Sequence, residues 1–283
     1  MPFVLCGVAH RLKSMTKAPV LFVSHGAPTF ALEPGLLGPA LTRLGEQVQS
    51  VRAVLVVSAH WQTPGVQVMR SASPETLHDF GGFPPELYRL QYPAPGAPGV
   101  AAEAANLLEA AGYKVSMDDK RGLDHGVWVP LRYLVASAKV PVLQVSMPYD
   151  LSAEGAVLLG NALAPLRASG VMIIGSGSLT HNLYEIGRTA PDDVAYAQTF
   201  AAWVRRHVEQ RDVEALTDYR RRAPSAARAH PTEEHFLPLL VALGASDPAD
   251  SVRVIDGGMT YGILSMDSYG FGFAVEAAAT TGH

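Results

Sequence analysis

The chain has 283 residues, of which 48% are hydrophobic and 17% charged, and its formal net charge is −4. This composition supplies a large apolar core and excludes a mostly disordered chain. The acidic balance, without a lysine- or arginine-rich stripe, gives no reason to expect a nucleic-acid partner. The single cysteine, Cys6, excludes an internal disulfide and a thiolate zinc site, and it favours a reducing compartment.

The sequence predicts neither a membrane span nor a secretory signal in its N-terminal segment. No apolar run reaches the roughly 18 residues that a membrane span needs. The segment FVLCGVA near the N-terminus lacks the basic start and the cleavage site of a secretory signal. We therefore expect a cytoplasmic protein with no membrane partner. Because Met15 shortly precedes the first strand signal, we expect an extension at 1–14, one domain at 15–275 and a tail at 276–283.

Short runs of Val, Ile and Leu alternate with helical patterns along the chain. In chain order the predicted elements are strand 19–24, helix 36–48, strands 53–59 and 65–70, helix 98–112, strand 113–117, helix 126–138, strand 141–147, helix 152–168, strand 171–175, helices 191–209 and 233–244, and strands 252–255, 262–266 and 270–274. Continuous apolar runs of this length are typical of buried parallel strands. The alternation predicts an α/β fold, a single domain with a mainly parallel central sheet and helices on both faces.

Residues 72–97 interrupt this alternation with a long segment rich in Pro and Gly. Connecting segments of this length in a compact domain are usually functional. We expect this segment to form a wall or lid over the mouth of the site. It carries His78, which is a candidate for substrate binding.

Two predicted strands end on a histidine, His25 in PVLFVSHG and His60 in AVLVVSAHW, and His181 follows a third strand. A lone histidine at a strand end is more often hydrogen-bonded to a loop carbonyl. Ligands of open α/β sheets, however, bind outside the carboxyl ends of the strands, so these imidazoles are expected to meet in one crevice. Convergent imidazoles are typical ligands of a transition metal. The sequence therefore predicts a metal site that includes His25 and His60.

The segment HPTEEHFLPLL predicts a helix that begins at residues 231–232, with its two glutamates in the first turn, where the helix dipole favours them. His235 would lie one turn into this helix, beside apolar residues, and would point from its buried side. We take His235 as the candidate for the third metal ligand, with Glu234 as the next choice and His230 after it.

Two further histidines are candidates for chemistry. His181 follows the turn GSGSLT, whose hydroxyls are typical of a helix cap; a cap does not explain the histidine, which is either a fourth metal ligand or a general acid/base. His125 is predicted at the start of a helix, with Asp124 as its N-cap. A helix N-terminus favours the neutral imidazole, which could hydrogen-bond a substrate or bound oxygen.

The residue types alone leave the reaction open. A catalytic zinc keeps a water molecule for hydrolysis, whereas ferrous iron with a small set of ligands leaves positions for substrate and dioxygen. The HExxH pattern of one common hydrolase class is missing from the sequence. A zinc-dependent hydrolase and a non-catalytic metal-dependent binding protein remain alternatives, and in the binding protein His181 and His125 would be dispensable.

Several motifs together resemble one known family. They are SHGAP at 24–28, SAHW at 58–61, HDFGGFPPELYRLQYPAPG at 78–96, LDHGVWVPL at 123–131, GSGSLTHNL at 175–183 and HPTEEHFLPLLVALGA at 230–245. In this order they resemble the DOPA 4,5-dioxygenase type of extradiol ring-cleavage enzyme. That group belongs to the class III extradiol dioxygenases and is similar to the catalytic subunit of protocatechuate 4,5-dioxygenase.

The resemblance implies a non-haem Fe(II) enzyme that opens the ring of a DOPA-like or related catechol with O2, beside its two hydroxyls and not between them. It also implies that Zn(II) can occupy the same pocket. By position, His25, His60 and His235 match the metal ligands, although the protocatechuate relatives have a glutamate in place of His235. His181 matches an acid/base residue close to the metal, and His125 matches a histidine on the substrate and oxygen side.

Overall fold

A computed structural model describes residues 17–188 and 190–274 of the chain. The predicted extension at 1–14 and the predicted tail at 276–283 lie outside the described residues. Within them, no helix has the length and apolar character needed to cross a membrane.

The described residues form short strands and helices in alternation. The strands are β1 (Val20–Ser24), β2 (Ala53–Ser58), β3 (Gln62–Thr63), β4 (Val66–Met69), β5 (Val115–Asp118), β6 (Val142–Gln144), β7 (Met147–Pro148), β8 (Val171–Gly177), β9 (Val252–Ile255), β10 (Met259–Thr260), β11 (Leu264–Ser265) and β12 (Ser268–Phe271). The α-helices are α1 (Leu37–Gly45), α2 (Pro98–Ala110), α3 (His125–Leu134), α4 (Ala153–Leu163), α5 (Pro191–Glu209), α6 (Val213–Thr217), α7 (Tyr219–Arg222), α8 (Ala226–Ala229) and α9 (Leu237–Ala245). Short 3-10 helices span Pro28–Ala31, Leu87–Arg89, Ala164–Ser169 and Leu183–Glu185.

A six-stranded sheet with the order β6-β2-β8-β1-β12-β9 forms the centre of the fold. β6, β2, β8 and β1 pair in parallel, whereas β12 is antiparallel to both β1 and β9. β1, β2 and β8 are buried along their whole length, which explains their continuous apolar sequences. The predicted α/β fold with a mainly parallel sheet is confirmed. Outside this sheet, the predicted strands at 65–70 and 113–117 pair with each other as β4 and β5.

β8 has helices on both of its faces. Successive side chains of a strand point to opposite faces, so Gly175 and Gly177 face one side and Ser176 faces the other. A Cβ at Gly175 would overlap the carbonyl oxygen of Pro238 in α9. On the opposite face, the Ser176 hydroxyl donates a hydrogen bond to the carbonyl of Gly126 in α3. The two glycines therefore let the α9 segment lie directly on the strand.

The start of α9 differs from the prediction. The sequence favoured a helix over 233–244, but α9 begins at Leu237 and residues 231–236 form turns. Pro238 favours this later start, because a proline lacks an N–H and its ring clashes with the carbonyl four residues earlier, so it is best accommodated in the first helical turn. His235 thus precedes the helix and does not lie one turn into it.

α6, α7 and α8 lie between the helices predicted at 191–209 and 233–244. Each is only four or five residues long, which is too short for the 3.6-residue period to show in the sequence. They connect α5 to the turns at 231–236.

α4 and α9 pack in unusually close contact through two glycines. A Cβ on Gly160 of α4 would overlap the carbonyl oxygen of Val241, and a Cβ on Gly244 of α9 would overlap the carbonyl oxygen of Val157. Because α9 also packs on β1, β2 and β8, its distance from α4 helps to set the position of the turns that carry His235.

We predict that Gly160→Ala lowers the free energy of unfolding by about 1–3 kcal/mol, because the added methyl group has no space between α4 and α9. Thermal unfolding followed by circular dichroism measures the change. Gly99→Ala is the matched control, since Gly99 lies in α2 with open space where a Cβ would be. The control should be neutral or stabilising by up to about 1 kcal/mol. Equal stability of the two variants would contradict the prediction.

Candidate active site

Histidines from separate elements meet at the carboxyl ends of the parallel strands. His25 directly follows β1 and His60 lies two residues after β2, while His235 precedes α9. The ring centroids are 4.8 Å apart for His25 and His60, 5.4 Å for His25 and His235, and 5.0 Å for His60 and His235. One nitrogen from each ring lies within 4.8 Å of the other two. This group has the donor types and the separations of a metal site.

A proline in α3 fixes the orientation of His25. Pro130 has no N–H, so the carbonyl of Gly126, four residues earlier, lacks the donor that it would usually have within a helix. The Ser176 hydroxyl donates to that carbonyl. The Ser176 oxygen then accepts from Nδ1 of His25 at 3.0 Å. Because Nδ1 carries the proton, Nε2 of His25 presents its lone pair, and it lies 3.0 Å from Nε2 of His60.

A buried ion pair supports the strand end that carries His60. The backbone N–H of His60 donates to the Ser58 hydroxyl at 3.2 Å, and this hydroxyl donates to Asp124 at 2.8 Å. Arg121 donates to the other carboxylate oxygen of Asp124 at 2.6 Å. Burial raises the pKa of the Asp124 carboxyl, against the opposing charge of Arg121. Asp124 occupies the predicted N-cap position of α3, but its side chain makes no cap hydrogen bond and binds Ser58 and Arg121 instead.

The long segment 72–97 reaches the site through Asp79. One carboxylate oxygen of Asp79 accepts from the backbone N–H of His125 at 2.9 Å and from Nδ1 of the same residue at 3.0 Å. The ring of His125 is buried, with its centroid 4.0 Å from that of His60. Burial raises the pKa of Asp79, but the hydrogen bonds from His125, and the attraction of its ring when protonated, outweigh this effect and lower the pKa to about 2.

His181 and His235 are stacked, with ring centroids 3.4 Å apart and planes 11° apart. Nδ1 of His235 lies 2.9 Å from the Glu234 carboxylate, which can only accept, so this nitrogen is the donor. Nε2 of His235 is buried and has no hydrogen-bond partner. A buried polar atom without a partner is rare in folded proteins. A metal ion bound by Nε2 would satisfy this atom.

His230 lies apart from these rings. It is fully buried against Phe200, Tyr219 and Phe236, and its Nε2 hydrogen-bonds the carbonyl of Leu179 at 2.9 Å. Burial lowers the pKa of His230 to about 3. A neutral His230 therefore anchors the loop that leads to His181.

His78 also has local partners. Its Nε2 lies 3.0 Å from the carbonyl oxygen of Leu90, and its ring lies beside those of Phe80, Tyr88 and Trp128. Among these, Phe80 also meets His125 edge-on, with centroids 5.7 Å apart. The substrate-binding role of His78 stays a prediction.

Burial keeps the converging imidazoles neutral. Desolvation, followed by repulsion from neighbouring histidines, lowers the pKa of His25 and of His235 well below the usual value. Burial likewise lowers the pKa of His60 to about 3 and that of His181 to about 4. Metal binding requires deprotonated ligands, and the site provides them at neutral pH. Imidazole nitrogens suit both iron and zinc.

Comparison with known proteins identifies the family. Residues 24–272 match the family described as the catalytic LigB subunit of aromatic ring-opening dioxygenase. The chain belongs to the LigB family. It is 39% identical to 4,5-DOPA dioxygenase extradiol of Beta vulgaris, over 88% of this chain and 95% of the relative. It is 36% identical to the protein of the same name from Escherichia coli K12, over 92% of this chain and 97% of the relative.

A solved structure has the same fold. The chain is similar to the crystal structure of an uncharacterized protein from Escherichia coli K12, with a TM-score of 0.75 and 31% identity over 90% of this chain and 99% of that chain. The resemblance to extradiol dioxygenases is confirmed. As a LigB-family member the chain is a metal-dependent oxidoreductase that opens an aromatic ring, with a small-molecule substrate and O2.

The residues that hold the histidines of the site in place were not predicted from the sequence. Ser58, at the end of β2, binds Asp124 just before α3, and Ser176, near the end of β8, binds Gly126 in α3. Asp79 binds His125. A signal was present, because the motifs SHG, SAHW and GSG all place a serine at the end of a strand. A serine that recurs at the ends of several strands indicates a hydroxyl that hydrogen-bonds to the neighbouring residues of the site.

Proposed function

We propose that this chain is a ferrous-iron extradiol dioxygenase that opens the ring of a DOPA-like or related catechol beside its two hydroxyls. The observation that carries the proposal is the convergence of His25, His60 and His235, together with the unpartnered, buried Nε2 of His235. The relatives from Beta vulgaris and Escherichia coli are named 4,5-DOPA dioxygenases, which supports a catechol substrate. The single cysteine supports a cytoplasmic location.

In this proposal His25, His60 and His235 hold the metal, two of them from strand ends and the third from the turns before α9. Iron, when bound, supplies the electron transfer between catechol and dioxygen. Zinc can occupy the same nitrogen donors, but it has no redox chemistry, so the zinc-filled protein is an inactive form. Ser176 and Glu234 accept from the Nδ1 atoms of His25 and His235, and these contacts keep the opposite nitrogens free to bind the metal.

His181 is the general acid/base of the reaction. It is neutral at pH 7 because burial lowers its pKa to about 4, so one ring nitrogen can take a proton from a catechol hydroxyl. The protonated ring then gives this proton to the oxygen that is released when the O–O bond of dioxygen breaks. Its stacking on His235 places it beside the proposed ligand group. His125, whose ring lies beside that of His60, hydrogen-bonds the substrate, and the ring of Phe80 lies edge-on to that of His125.

Oxygen uptake separates this function from its two alternatives. The protein is stripped of metal and reloaded without oxygen with either Fe(II) or Zn(II). We expect catechol-dependent oxygen uptake only with iron, and a ring-opened product that contains both atoms of labelled dioxygen. Turnover with zinc and without oxygen would indicate a hydrolase. Catechol binding without turnover by either form would indicate a binding protein.

We predict that His25→Ala, His60→Ala and His235→Ala each lose most of the bound metal, because each removes one of three nitrogen donors. Metal analysis of the purified variants by mass spectrometry measures the loss. His207→Ala is the control, since His207 lies in α5 beside Trp203, outside the metal-binding group, and it should keep a full equivalent. If all three variants kept tightly bound metal, the ligand assignment would be wrong.

We predict that His181→Ala keeps most of its iron and still binds catechol, but loses turnover by about 10²–10⁴-fold, the usual contribution of an acid/base group. Metal content and oxygen uptake are measured on the same preparation. Loss of iron and activity together would make His181 a fourth ligand. Normal uptake would remove it from the reaction.

A further inference from the structure

Asp79 makes contacts that a loop residue does not need for folding alone. It belongs to the segment 72–97, yet a single oxygen of its carboxylate accepts two hydrogen bonds from His125, one from the backbone and one from the ring. The second carboxylate oxygen lies 3.9 Å from Nδ1 of His60. The Asp79 side chain is 27% exposed, whereas the His125 side chain is 8% exposed. The carboxylate therefore stands between the solvent and a buried imidazole.

The chemistry of this contact determines which nitrogen of His125 carries the proton. A carboxylate only accepts hydrogen bonds, so Nδ1 must be the donor and must be protonated. In the neutral ring Nε2 is then the acceptor, and it lies on the side of the ring away from Asp79. Because the ring is buried, water does not compete for Nδ1, and the tautomer is held.

A helix cap alone does not account for this arrangement. His125 is the first residue of α3, and its backbone N–H is one of those that a helix leaves without a partner. A carboxylate that served only as a cap would bind that N–H and leave the ring free. The second hydrogen bond, from Nδ1 to the same oxygen, is the observation that indicates a role in the reaction.

We propose that Asp79 is a positioning residue, which orients His125 and fixes its tautomer so that Nε2 accepts the hydrogen bond of a catechol hydroxyl. The proposal rests on the proposed function, in which His125 contacts the substrate. Asp79 itself touches no reacting atom and acts through His125.

Selective ¹⁵N labelling of histidine tests the tautomer in the metal-free protein, where no turnover is needed. We expect His125 to carry its proton on Nδ1 in the parent protein, with its signals assigned by their loss in His125→Gln. In Asp79→Asn the amide can donate as well as accept, so the population with the proton on Nε2 should rise. A parent protein with the proton on Nε2 would overturn the proposal.

Kinetics of the iron-loaded protein test whether Asp79 contributes to the reaction. We expect Asp79→Asn to keep its iron and its melting temperature and to lose about 10- to 100-fold in kcat/KM, the usual effect of removing such a supporting contact. Asp119→Asn is the matched control, because Asp119 is exposed and pairs with Arg70. Its kcat/KM should be unchanged.

A double-mutant cycle separates positioning from a general structural effect. In the His125→Ala background, Asp79→Asn should have no further effect on kcat/KM, because its target is gone. A further loss equal to that in the parent would show that Asp79 acts independently of His125 and would overturn the proposal. If His125→Ala kept full turnover, both the substrate role of His125 and the positioning role of Asp79 would fail. Oxygen uptake by the parent protein would still support the proposed reaction.

Discussion

The hydrogen bond from the Ser176 hydroxyl to the Gly126 carbonyl joins the central sheet to α3, and the arrangement of the histidines depends on it. Pro130 makes this contact available by leaving the carbonyl without its helical partner. Leaving such a buried carbonyl unsatisfied would cost about 1–3 kcal/mol, so the hydroxyl is held firmly. Gly126 must be a glycine, because a Cβ there would lie 2.7 Å from Ser58 Oγ and 3.1 Å from Nδ1 of His25. Gly126 of α3 is therefore packed closely against the ends of both β1 and β2.

The carboxylates of the site hydrogen-bond to the histidines or to the residues that support them. Asp79, Asp124 and Glu234 contact His125, Ser58 and His235 respectively, and each holds a side chain or strand end in place. The converging rings themselves are neutral because they are buried. Nε2 of His25 and Nε2 of His60 lie 3.0 Å apart. A divalent ion would stabilise this arrangement, and the fold would gain stability by mass action as the ion binds.

The sequence predicted the features that depend on local pattern. Continuous apolar runs indicated β1, β2 and β8, and the parallel direction of these strands was enough to bring His25 and His60 together. Contacts between distant parts of the chain could not be predicted. Asp124 matched a helix cap by its position, but its partner Ser58 is 66 residues away, and the partner of Asp79 is 46 residues away.

The error at α9 has a similar origin, because two local signals competed. The glutamates after residue 232 are typical of a first helical turn, whereas Pro238 favours a first turn that lies later. The steric effect of the proline is larger than the electrostatic preference of the carboxylates, so the proline determines where α9 begins. His235 still reaches the other rings, because Gly177 lets the backbone of the turn approach β8 and Ser178 donates a hydrogen bond to the His235 carbonyl.

In the triplet Gly175-Ser176-Gly177 of β8, the residue required at each position depends on the face of the sheet to which it points. The outer two positions have no room for a side chain beside the α9 segment, and the middle position must supply a hydroxyl on the α3 side. A slip of the strand by one residue would turn every side chain to the opposite face. The hydroxyl would then enter the backbone of the α9 segment, and the imidazole of His25 would face a bare glycine. An insertion or deletion within this strand is therefore compatible with the site only if it changes the length by two residues. The surrounding loops have no such requirement.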